Sequence, residues 1–258
     1  MEIETIKKKS FALSIIAFPV MLLAGFIMHP DLLKFEALQT VEQLVGRFHN
    51  QPIYHIGHLI VMFTVPVIII AIINIMNVLQ SKGKRLGFWG GIIAVFGAFI
   101  LAVDKGALCL VLSAFDTLPE AQFREFVPFL SVIVNKTGLL WVVWMLPLLP
   151  IGNAIQVIGL MKEKFISKWQ GWCIISGLLL LNNPDIEVLS SAGAILMCAG
   201  YIPWGVRIFQ GRMKCSSIAC PPYSTQKKLK ILNAHSLVDC NWISVTPGRV
   251  FLYVKLNK

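Results

Sequence analysis

The sequence predicts an all-helical, polytopic transmembrane bundle of about six spans, with its N- and C-termini both on the cytoplasmic side. Three observations predict it. Of 258 residues, 56% are hydrophobic and only 14% charged, with a mean hydropathy of +0.73, a balance outside that of soluble domains. Apolar runs near the ~20 residues needed to cross a bilayer core recur along the chain. Lys and Arg fall almost wholly in alternate connections between those runs.

The first span, 10–28, follows Lys7, Lys8 and Lys9. A secretory signal has the same order of charge and apolar core. The run from Phe11 to Met28 exceeds a signal core, however, and no small-x-small site precedes His29-Pro30, so a retained span is expected. Spans 53–79 and 87–113 flank the basic turn Lys82 to Arg85, and spans 128–161 and 168–184 flank Lys162 to Lys168. The fifth is the least continuous, running unbroken only from 169 to 181 before Asn182-Asn183-Pro184-Asp185. The sixth, 188–209, leads into the basic tail. Short basic loops stay cytoplasmic. This places 18 basic residues inside and only Lys34, Arg47 and Arg124 outside. Without a fifth crossing, the Lys162 to Lys168 loop and the tail would lie on opposite sides.

Residues 1–211 therefore form the transmembrane bundle, and 212–258 a cytoplasmic tail expected to be partly disordered, with a hairpin turn at Thr246-Pro247-Gly248. Residues 207–258 carry +8 of the net +10. Anionic lipid headgroups account for that charge without a nucleic acid. Cys109, Cys173 and Cys198 fall in spans, and Cys215, Cys220 and Cys240 in the tail, with no C-x-x-C pair, so reduced thiols are expected and no tail zinc site.

Shifting the chain by 81 residues superposes Gly57 on Gly138, Leu59 on Leu140, Pro66 on Pro147, Leu79 on Leu160, Gly90 on Gly171 and Asp104 on Asp185. Two hairpins would then be parallel repeats, an architecture many transporters use.

Polar residues within or bordering the spans gather at the outer face: His55 and His58, Asp104 and Lys105, Asn135 and Lys136, then Asn182, Asn183, Asp185 and Glu187. Charged groups at membrane depth face a bundle interior or a wet cavity and pair with one another. Asp104 with Lys136 is the expected pair. Groups within a turn of the interface can instead snorkel to water.

His55 and His58, three apart, fall on one helix face. Three roles are open to them: interfacial polar residues, metal ligands together with Asp104 or His49, or a proton relay toward Asp104. No other span holds a His, so a bis-His haem site has little support. Metal candidates are thus His55, His58 and Asp104; ligand or proton-path candidates are Asp104, Lys136, His55, His58 and Asp185. No P-loop, G-x-S-x-G, H-E-x-x-H or G-x-G-x-x-G motif occurs, no catalytic residue is identified, and no cofactor is indicated. The sequon Asn135-Lys136-Thr137 borders a span.

Pro19, Pro66, Pro147, Pro150 and Pro203 fall within spans and favour kinks. Gly87 and Gly91 form a G-x-x-x-G suited to close helix packing, within this chain or between copies in a homo-oligomer. Between His29 and Pro52, Leu32, Leu33, Phe35, Leu38, Val41, Leu44, Val45 and Phe48 recur at helical spacing, as a surface helix or a lid.

The stretch His55-Ile-Gly-His58-Leu, the basic turn Lys82 to Arg85 and the glycine-rich Gly87 to Gly97 resemble uncharacterised multi-pass bacterial inner-membrane proteins over residues 10 to about 209. The resemblance implies a bacterial inner membrane and carries over no functional residue. Three roles follow from the residues: binding or transport of a small polar solute or proton, a membrane-embedded metal-dependent enzyme, or a structural assembly partner.

Overall fold

A computed structural model of the chain describes residues 3–30, 32–33, 35–182, 186–212, 242–246 and 249–253. The chain divides into two units, Met1–Cys220 and Pro221–Lys258. In the second, β1 (Trp242–Thr246) pairs antiparallel with β2 (Arg249–Tyr253), Thr246 opposite Arg249. The rest of the tail, where disorder is expected, lies outside the described residues.

The first unit is helical throughout its described elements: α1 (Ile3–Ile27), α2 (Val41–Phe48), α3 (Pro52–Val78), α4 (Lys84–Val103), α5 (Cys109–Phe115), α6 (Glu120–Phe126), α7 (Ser131–Val134), α8 (Leu148–Lys162), α9 (Lys168–Leu180) and α10 (Glu187–Phe209). Five stretches are long and apolar enough to cross a membrane: Thr5–Ile27, Pro52–Val78, Lys84–Phe115, Gly138–Lys162 and Glu187–Phe209. That is the pattern of a multi-pass membrane protein.

Three expected spans differ in detail. The fifth segment, 168–184, is helical for only 13 residues, Lys168 to Leu180, and is not among the five. The fourth, 128–161, is not one helix. It breaks at Lys136 and Gly138, both at positive φ, continues as a 3-10 helix over Gly138–Met145 and becomes α-helical only from Leu148. Pro147, read as a kink, instead precedes the first turn of α8, where a missing N–H costs nothing. The third span carries a π-helical turn, Asp104–Leu108, between α4 and α5.

Each helix neighbours the next in the order α1, α3, α4, α8, α9, α10, and α10 returns to α1. Lipid tails are as apolar as leucine, so helices in a membrane associate through close packing rather than escape from water. Reciprocal glycine pairs supply that packing at three interfaces. A Cβ on Gly25 would lie 2.9 Å from the Gly57 carbonyl, and one on Gly57 would lie 2.8 Å from that of Gly25. The distances are 2.7 and 2.5 Å for Gly90 and Gly152, and 2.5 and 2.6 Å for Gly177 and Gly193. The Gly87 and Gly91 side of α4 packs within the chain, against Leu79, Met76 and Gln156, which leaves no G-x-x-x-G face there for a second copy.

Toward the basic end the interior is a closed apolar core that includes Ile72, Ile75, Leu79, Leu160 and Ile174. Phe11 meets Trp204 edge-on at 5.5 Å, and Phe18 meets Tyr201 at 4.9 Å. Gln156 bridges three helices by donating to the Ile72 and Gly87 carbonyls at 3.2 and 3.1 Å. At this end Glu163 Oε1 accepts from the Ser81 and Gly83 N–H groups, both at 2.8 Å, and so caps α4 from the opposite turn. α9 starts on a capping box, Ser167 with Gln170.

At the other end, α2, α6 and α7 form an apolar cap in which Leu44, Phe48, Tyr54, Leu112, Phe123 and Leu130 are buried together. Among the described residues, the 29–52 loop, whose apolar residues recur at helical spacing, is helical over Val41–Phe48. It starts there because Thr40 and Gln43 close a capping box, with Gln43 N–H to Thr40 Oγ1 at 3.2 Å and Thr40 N–H to Gln43 Oε1 at 3.1 Å.

Candidate functional site

Between the apolar core and the cap, the ring of helices lines a partly open cavity of about 80 Å³, room for several waters or a small molecule. Its deeper wall is apolar, with Phe18, Leu22, Val61, Ile68, Leu149, Leu178 and Met197. Its wall toward the cap is polar. His29 follows α1, His58 lies on α3, Asp104 and Lys105 on the π-turn, Asn153 on α8, and Glu187 and Ser190 on α10.

These groups are organised rather than merely adjacent. His29 Nδ1 lies 3.2 Å from Glu187 Oε1, joining the ends of the first and last long helices. The His29 ring lies 4.9 Å from Tyr54 and 4.6 Å from His58, and Tyr54 and His58 are 4.2 Å apart. His58 Nδ1 sits 3.0 Å from the Tyr54 carbonyl. Across the cavity wall Lys105 Nζ pairs with Asp104 Oδ2 at 3.0 Å. A π-turn packs more residues into each turn, so successive side chains diverge less than in an α-helix. Two consecutive charged residues can then both line one cavity.

A second polar centre fastens the cap. Asp116, in the turn after α5, accepts from the Asn50 N–H at 3.0 Å and faces His49 Nδ1 at 2.8 Å and His55 Nε2 at 3.1 Å. His49 stacks on Phe123 with ring centres 4.0 Å apart. Partial burial works against ionisation of Asp116. The hydrogen bonds from Asn50, His55 and His49 outweigh it, and the carboxyl is held below its ordinary range.

The residues singled out from sequence thus separate. Asp104 and His58 line the cavity. His55 belongs to the Asp116 clamp, so the two histidines do not act on one site. The expected Asp104–Lys136 pair is replaced by Asp104 with its neighbour Lys105. Lys136 lies in the break before the 3-10 segment, its ammonium 4.7 Å from the centre of the Trp144 ring. Asp185 lies outside the described residues. His55, His58 and Asp104 therefore do not form a metal-ligand set, and His49 is held by Asp116. Among the described residues no three His, Cys, Asp or Glu side chains are close enough to share a metal ion.

Sequence reasoning missed Asn153, Ser190, Tyr54 and Asp116, and set His29 aside as a loop residue. For His29 the signal was present: it closes the first span at the same end as His58. Asp116 sits in a loop, and its partners lie 61 to 67 residues away, a pairing no local pattern announces. No family model matches the chain, no curated protein is similar to it, and no solved structure matches its fold.

Proposed function

We propose that this chain is a six-pass membrane protein of a bacterial inner membrane that binds a small solute in the cavity between its apolar core and its cap. The convergence of His29, His58, Asp104, Lys105, Asn153, Glu187 and Ser190 on one cavity carries this reading. Buried polar groups are costly in a membrane protein and concentrate where a ligand or ion is handled. The basic half is filled by buried apolar side chains, which favours binding over an open conduction path.

Supporting six crossings, α9 joins two hairpin turns and carries the exposed Trp169 and Trp172 beside Lys168, at the same end as exposed Trp89 beside Lys84 and Arg85. Tryptophans at that level form an interfacial belt. The cytoplasmic assignment of this end rests on its basic residues, which also suit it to anionic headgroups. The 81-residue shift carries α3 onto α8 and α4 onto α9, two places round the ring. The glycine-paired hairpins α1–α3, α4–α8 and α9–α10 follow the same step, which supports an origin by duplication.

The test is small-molecule mass spectrometry of protein purified in its native lipids, wild type beside Ser190→Phe, which fills the cavity. A compound retained near one per chain by the wild type and lost in the variant supports the reading. An empty wild type, or equal retention in a variant that remains folded, overturns it.

A further inference from the structure

Resting on the reading of this cavity as a ligand site, the chemistry of its wall narrows the ligand. Lys105 Nζ pairs with Asp104 Oδ2 at 3.0 Å, and Glu187 Oε1 faces His29 Nδ1 at 3.2 Å, a pair of opposite charges when the imidazole is protonated. A charged ligand would have to break the Lys105–Asp104 pair or enter with its own charge unbalanced, and an unpaired buried charge is costly.

Two neutral side chains add hydrogen-bonding capacity. His58 and Asn153 are each 5% exposed and both line the cavity. A carbonyl only accepts, so the Nδ1 of His58 carries the hydrogen that reaches the Tyr54 carbonyl. In the neutral ring Nε2 is then an acceptor, and no described residue donates to it. The Asn153 amide likewise has no hydrogen-bond partner among the described residues. Both side chains therefore have hydrogen-bonding capacity to offer a molecule in the cavity. Around them the wall is apolar, formed by Phe18, Leu22, Val61, Leu149, Leu178 and Met197.

We infer that the cavity takes an uncharged, mainly apolar molecule bearing a hydroxyl group, of the phenol or lipophilic alcohol class, whose hydroxyl donates to His58 Nε2 while the Asn153 amide meets an oxygen of the same molecule. The apolar body occupies the deeper wall. The bound hydroxyl sits among the polar groups below the cap.

The experiment uses the full chain in phosphatidylcholine nanodiscs and four probes sharing a trifluoromethylphenyl body: 4-(trifluoromethyl)phenol, the matching benzoate, the matching benzylammonium and plain trifluoromethylbenzene. Fluorine NMR titrations at pH of about 6.5, where a phenol keeps its proton, are corrected with empty nanodiscs. The phenol is expected to bind about tenfold more tightly than the other three, and His58→Phe and Asn153→Leu are each expected to weaken it by about tenfold, as one lost hydrogen bond implies. Tighter binding of the benzoate or the benzylammonium overturns the neutral class and leaves the cavity reading standing. Equal binding of phenol and trifluoromethylbenzene, or no loss in either folded variant, overturns the assignment to His58 and Asn153. If all four probes behave as in empty nanodiscs, this inference and the cavity reading fall together. The comparison among probes needs only the wild type, so it holds even if a variant does not fold.

Discussion

Adding one methyl group at Gly152 tests the packing that shapes the cavity. A Cβ there would lie 2.5 Å from the Gly90 carbonyl oxygen and 2.7 Å from Ala94 Cα, and would also meet the Ala94 nitrogen. All three are backbone atoms of α4, so no side chain can rotate away. To restore ordinary contact near 3.4 Å, α8 must retreat by at least about 0.9 Å. Overpacking of this kind costs about 1–3 kcal/mol, and the upper half is expected because both partners are rigid helices. At about 2–4 °C per kcal/mol, Gly152→Ala should lower the melting temperature in detergent by roughly 4–12 °C. Gly46→Ala is the control. A Cβ at that position meets nothing within 4 Å, and removing a helical glycine should hold or raise stability by up to about 1 kcal/mol. Asn153 is the next residue on α8, so the retreat should also weaken ligand retention. Thermal unfolding followed by tryptophan fluorescence decides the matter. A Gly152→Ala protein as stable as wild type would refute the account of glycine-mediated packing.

The Asp116 clamp should make the cap sensitive to acid. Its carboxyl is held below the ordinary range in the folded state, so its contribution is complete above the unfolded value of about 4 and is lost as pH falls through the lowered folded value. Hydrogen exchange of amides 41–55 should accelerate across that window in the wild type. Asp116→Asn, which leaves His49, His55 and Glu120 in place, should exchange faster at neutral pH and lose the acid step; an unchanged acid step in the variant would assign it elsewhere. Topology is tested with reporter fusions: one after Lys164 should report the cytoplasm and one after Asn182 the opposite side, whereas the same side for both would mean that α9 does not cross.

The multi-pass helical class was legible because a membrane demands long uncharged runs, and residues 53–79 and 188–209 match α3 and α10 almost to the residue, whereas six spans were expected and five stretches are long and apolar enough to cross. The break in the fourth span was less visible. Its markers, Asn135-Lys136-Thr137-Gly138, are only four residues within an apolar run, and the positive φ of Lys136 has no local cause in the sequence. Of the candidate site, His58, Asp104, Lys105 and Glu187 were legible as polar residues at one membrane level. Their pairing was not. Asp104 takes the adjacent Lys105 because a π-turn keeps both on one side, and composition does not forecast such a turn. His29, Glu187 and Asn153 meet His58 only through the closing of the ring, which depends on glycine contacts between helices far apart in sequence.

The brevity of α9 has a consequence for the surrounding lipid. Thirteen residues at 1.5 Å each reach about 20 Å, some 10 Å short of a typical hydrocarbon core. Where such a helix crosses, the bilayer must thin around it, at a fraction of a kcal/mol for each ångström of mismatch. Leu178 and Leu181, at the short end of α9, also line the cavity. In the six-pass arrangement proposed above, the hollow and the thinned bilayer stand side by side.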